Sequence, residues 1–161
     1  MKYNISFAIT LMLSLFSINN SQAALNYQNV NLIKGGTENI NDIYAGYAKI
    51  EKALTLDDAA TAQKAASQLI IELKDIANSN VTLIAATKIS QTADISLQRK
   101  SFAILSSALY KLFKSQKPDR MLYIHFCPMA KAYWMDENKE ISSPYYGEKM
   151  LTCGETKGMI M

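Results

Sequence analysis

The sequence is short of the residues that most directly announce a function. It has one histidine, two cysteines and one tryptophan among 161 residues. A structural zinc site uses four Cys or His ligands, and three such side chains do not suffice. Lysine and arginine number 17 against 14 acidic residues, but they form no block. Without Lys2 the net charge is about +2 and spread along the chain, so the basic patch of a nucleic-acid binder is missing. No apolar run reaches the roughly 20 residues that cross a bilayer. No internal repeat or low-complexity segment occurs. His125 and Cys127 lack any surrounding motif of nucleophilic catalysis, and Asp136, Glu137 and Glu140 read as a solvated turn. No catalytic residue and no enzymatic activity are expected.

What is present begins with a leader. Lys2 supplies a positive start, Ile5 to Ile18 is apolar, and Ser21-Gln22-Ala23 is a small-x-small cleavage site, so residues 1–23 read as a secretory signal peptide. No cysteine at the cleavage site calls for a lipid anchor. A periplasmic protein without membrane insertion is expected after cleavage. Residues 24–36 lack a sustained period and end in Gly35-Gly36, which suits a leader or linker. The remaining residues, 37–161, have the length of one domain. With 49% hydrophobic residues overall, they can bury an ordinary core.

Hydrophobic spacing predicts about four helices. From Thr37 or Asn39, the residues Ile40, Ile43, Tyr44, Tyr47, Ile50 and Leu54 recur at steps of three and four, which puts them on one face. Asp57 is the expected N-cap of a second helix whose face carries Ala62, Ala65, Ala66, Leu69, Leu73 and Ile76. Its alanines let a neighbouring helix come close. A shorter helix is expected over roughly Thr82 to Ser90. Thr92 or Asp94 caps a long one with Ile95, Arg99, Phe102, Leu105, Leu109 and Leu112 on one face, ending before Pro118. The fold class is mainly all-α: an up-and-down bundle of about four helices with an irregular Cys/Met-rich segment over 118–161. In that segment "MLYIHF" has the character of a short strand and "DENKE" that of an exposed turn.

The sulfur is concentrated there. Six of the eight methionines, both cysteines and the histidine lie between Met121 and Met161. If the strand persists through "YIHFC", His125 and Cys127 share a face, and Met129 joins them unless Pro128 turns the chain. Further on, Ser143 as N-cap and Pro144 at N1 suggest a short helix to Cys153, with Met150 and Cys153 neighbours at i and i+3. Gly147 inside it leaves a turn-rich alternative open. Thiolates and thioethers select soft ions, above all Cu(I), with Ag(I) as its mimic. The candidate ligands are Cys127, Met129, Met150, Cys153 and His125. An exported chain equally favours a Cys127–Cys153 disulfide, which would staple a protein-interaction module without metal. Both readings stand on these residues.

The segments "YAKIEKAL", "DDAATAQKAA", "QRKSFAILS", "LYIHFCPMA" and "KEISSPYYGEKMLTCGE" resemble, in that order, an exported bacterial domain family of unknown function common in Bacteroidetes. Some members are fused to periplasmic adaptors of Cus-type copper/silver efflux pumps. The resemblance spans about Tyr47 to Glu155 and rests on the Cys-Pro-Met, Pro-Tyr-Tyr-Gly and Met-Leu-x-Cys-Gly elements. The family's residues carry over to Cys127, Pro128 and Met129, and to Met150 and Cys153. The chain departs from the pattern at the shortened "KAY", at Met135-Asp136 and at Ser143. The resemblance implies a helical fold and a link to heavy-metal handling. The expected function is therefore a Cu(I) or Ag(I) carrier or buffer, with an efflux adaptor or another periplasmic protein as partner.

Overall fold

The computed structural model describes residues 37–161 apart from Asp75, Ala77 and Asn78. The expected signal peptide and the leader over 24–36 lie outside the described residues. The described chain is mainly helical: α1 (Thr37–Thr55), α2 (Ala59–Leu73), α3 (Asn80–Ser90) and α4 (Ile95–Ser115) precede a small sheet of β1 (Leu122–Cys127), β2 (Ala132–Asp136) and β3 (Glu155–Ile160). Among the described residues no helix is long and apolar enough to cross a membrane.

The helices follow the hydrophobic spacing. Ile40, Ile43, Tyr44, Tyr47, Ile50 and Leu54 of α1 are all buried, as are Ala62, Ala65, Ala66, Leu69 and Leu73 of α2. Each helix packs chiefly on the next one in sequence. A side chain at Gly46 would press on Leu69 at 3.1 Å, so the glycine lets α1 and α2 lie close together. The N-cap of α2 is Asp58, not Asp57: its carboxylate accepts the Thr61 N–H at 2.9 Å. Asp57 takes a left-handed conformation, φ 58°, and turns its carboxylate elsewhere. Asp94 caps α4 by accepting the N–H groups of Ser96 and Leu97.

The C-terminal segment is more regular than its sequence suggests. Its three strands form an antiparallel sheet in the order β2-β1-β3, where the sequence suggested a single strand. β1 and β2 are a hairpin closed at the Cys127–Ala132 pair. Pro128 begins the turn, and Lys131 completes it at φ 51°. β3 pairs with the other edge of β1; Ile124 faces Gly158 and His125 faces Thr156, so Lys157 is an extra residue in a bulge. The expected helix over 144–153 is absent. Turns and a single 3-10 turn, Gly147–Lys149, occupy that stretch, because Gly147 sits at φ 57°, outside helical space.

Two buried tyrosines fasten the sheet to the helices. The Tyr47 hydroxyl accepts the Met135 N–H at 3.0 Å and lies 2.9 Å from the Ser106 hydroxyl. Met135 is on a sheet edge, so this bond satisfies a backbone donor that no strand could take. Burial holds the Tyr47 phenol well above its usual pKa. Tyr145 donates to the Tyr133 carbonyl, packs edge-on against Trp134 and sets its ring 6.0 Å from that of Phe102 on α4.

Candidate functional site

The end of β1 carries the sulfur centre. Cys127 is the last residue of β1 and Cys153 lies two residues before β3, so the two antiparallel partners carry the cysteines to the same end of the sheet. They form a disulfide with Cα atoms 5.5 Å apart. Both are buried. The Ala130 N–H points at the Cys127 sulfur from 3.5 Å, across the hairpin turn. The Cys153 N–H donates to the Met150 carbonyl at 3.1 Å, so Met150 is joined to the centre through a turn. Its side chain is half-buried against the core.

The other candidate ligands are placed differently. Pro128 turns the chain, and Met129 is 59% exposed on the hairpin turn, off the face of the strand. His125 shares that face with Cys127 and is fully buried in the middle strand. Its Nε2–H donates to the Asn138 carbonyl at 3.0 Å, which leaves Nδ1 to accept from the Thr156 hydroxyl at 3.1 Å. Both nitrogens are therefore engaged within the protein, and the imidazole ties both edges of the sheet to its centre. Burial lowers its pKa; the Asn138 carbonyl and Asp136 act in the opposite direction without prevailing. The Trp134 ring lies 4.9 Å from the imidazole. It also covers Gly154, where any side chain would strike the indole. Among the described residues no three His, Cys, Asp or Glu side chains gather to hold a metal ion. The donor set at this place is two sulfurs, and Met150 is tied to them through its backbone carbonyl.

Two features escaped the sequence reading. Arg99, expected on an apolar face of α4, instead clamps three segments: its Nε–H donates to the Pro144 carbonyl, and its Nη2 donates to the Leu54 carbonyl and the Asp57 carboxylate. The other oxygen of Asp57 accepts the Glu148 N–H. These two bonds hold the Asp57 pKa below the usual carboxylate range. A Cβ at Gly147 would collide with both Arg99 and Asp57, so the clamp needs a glycine there. Glu51 is the second feature. It is only 6% exposed, with its carboxylate 2.9 Å from the Thr55 hydroxyl, in a cleft of about 450 Å³ that Tyr44, Asp136, Glu137 and Glu140 also line. Burial, then repulsion from Asp136, pushes its pKa up to about 8, against the smaller opposing effects of Thr55 and Lys52.

Residues 43–121 match the model of a family described as protein of unknown function (DUF3347). The match runs from the second turn of α1 to the residue before β1. The four helices thus carry the DUF3347 likeness, while both cysteines lie beyond the matched residues. No curated protein and no solved structure matches the chain.

Proposed function

We propose that the chain is a periplasmic carrier or buffer for Cu(I) or Ag(I), and that the dithiol form of Cys127 and Cys153 holds the ion. One observation supports this reading above all: two cysteines 26 residues apart meet at one point. Two thiolates at one point suit a soft monovalent cation, and a thioether suits it further. Met150, whose carbonyl accepts the Cys153 N–H, is the first thioether candidate; Met129, on the adjacent turn, is the second. His125 contributes to the site's shape through Thr156 and Asn138, not through a free nitrogen.

In this reading the disulfide is the closed state. Opening it takes two electrons and two protons from an external dithiol, which leaves as a disulfide. The two thiols then release their protons as the ion binds. The helices, read as an up-and-down bundle, are the scaffold. Export through a signal peptide, a non-catalytic role in heavy-metal handling and delivery to an efflux adaptor belong to the same proposal. They rest on the sequence and on its likeness to exported domains fused to Cus-type adaptors.

A second reading, a disulfide-stapled interaction module without metal, draws its support from the commitment of both His125 nitrogens inside the protein. One experiment separates the two. Free thiols are titrated in protein purified without reductant, and Cu(I) is then competed against a chelator before and after reduction. Uptake of one ion per chain by the reduced protein alone supports the carrier. No uptake after reduction refutes it and leaves the module. In the carrier, Met129→Leu with Met150→Leu weakens Cu(I) binding and leaves the fold nearly intact.

A further inference from the structure

Beside the sulfur centre, a groove of about 550 Å³ runs between the start of α4, the hairpin turn and the loop at Tyr145. Its walls divide by chemistry. Arg99, Lys100 and Lys149 supply positive charge; Tyr145, Tyr146, Met129 and Ala103 supply apolar surface. No carboxylate lines it. Lys100 and Lys149 form no ion pair among the described residues.

Arg99 makes this more than a charged surface. A guanidinium has five N–H donors. Three are spent on Pro144, Leu54 and Asp57, and none of these acceptors lines the groove. The remaining two, on Nη1, bond to none of the described residues, and Nη1 is not among the buried atoms left without a partner, so it meets solvent. The side chain is 13% exposed, held by three hydrogen bonds, and lines the groove. Its ordering cost is met by the fold before any ligand arrives, which is the condition for tight anion recognition by arginine.

We propose that this groove binds a small organic carboxylate. The carboxylate would sit against Arg99 Nη1 between Lys100 and Lys149, and its apolar body would lie along Tyr146 and Met129. The volume falls within the range of small-molecule sites, and the mixture of a mostly apolar wall with a few fixed polar groups is their usual composition. An inorganic anion would use the charge and leave the aromatic wall uncovered. Neither cysteine lines the groove; Met129, a thioether candidate of the metal reading, does, and for that reason the oxidised, metal-free protein is the one to test.

The test uses 3-phenylpropanoate as probe on the oxidised protein, with 3-phenylpropanamide and inorganic phosphate as controls. Binding is followed by two-dimensional NMR of the Arg99 Nε–H and of the Tyr146 ring. The carboxylate should shift both signals in a saturable way, and the neutral amide and phosphate should bind at least roughly tenfold more weakly. Lys100→Gln and Lys149→Gln leave the Arg99 clamp in place, and each should weaken the probe about fivefold. Equal response to the amide, equal response to phosphate, or unchanged binding in both lysine variants would overturn the proposal.

Discussion

Replacing Glu51 by glutamine tests how the sheet loops act on the helices. A carboxyl group in the unfolded chain titrates near 4.5, whereas Glu51 in the fold is pushed up to about 8. Its raised pKa contributes stability that is fully present below about pH 4.5 and is lost as pH rises through 8. Within that window each pH unit costs about 1.4 kcal/mol at most, so wild-type protein loses about 3 kcal/mol between pH 5 and pH 8 from this one group. His125 works in the other direction. Its folded pKa is depressed, so its contribution is present above 6.5 and is lost as pH falls through the folded value. The two slopes oppose each other below pH 6.5, down to the folded value of His125, and the loss due to Glu51 stands alone above 6.5. Glu51→Gln removes the acid and keeps an oxygen for the Thr55 hydroxyl. Urea unfolding followed by fluorescence of Trp134, the only tryptophan, gives the stability of both proteins at each pH. The difference between variant and wild type should be under about 1 kcal/mol at pH 5 and grow to about 4 kcal/mol in favour of the variant at pH 8. Parallel curves would refute the reasoning, because they would mean that Glu51 ionises freely in the folded protein.

The remaining expectations concern the clamp, the bridge and the tyrosine tie. Gly147→Ala places a Cβ against Arg99 and Asp57 at a left-handed φ, and should cost about 1–3 kcal/mol with faster hydrogen exchange at Glu148; unchanged exchange would argue against the clamp. Cys127→Ser with Cys153→Ser opens a loop of about 25 residues and should lower stability by about 3–4 kcal/mol, a loss that reductant reproduces in wild type and not in the variant. Tyr47→Phe leaves the Met135 N–H without its acceptor and should cost about 1–3 kcal/mol in denaturant unfolding, more than an exposed Tyr133→Phe in the same assay.

The helices were legible because a helix records its buried face locally. Steps of three and four from Ile40 to Leu54, and from Ala62 to Leu73, need no knowledge of the partner that covers them. The cysteines were legible as a pair, but their spacing left disulfide and thiolate site equally open. Strands β2 and β3 were not legible, since "AYWMD" and "ETKGMI" become strands by hydrogen bonding to β1 and carry no clear alternation of their own. The helix anticipated over 144–153 had plausible local signals, and they lost to contacts made 45 to 91 residues away: Arg99 and Asp57 close on Pro144, Gly147 and Glu148.

By itself, then, the sequence determined roughly where the four helices lie, the apolar faces of the first and second, most of that of the fourth, and that the sulfur belongs to the C-terminal segment. Only the tertiary structure decided that Asp58 caps α2 while Asp57 serves Arg99, that His125 spends both nitrogens inside the sheet, that Met129 stands on a turn, and that Glu51 is buried. The physical reason is one of range. Periodicity and capping act within a few residues and can be read along the chain, whereas burial, pairing and the pKa of a side chain depend on which remote segments fold over it.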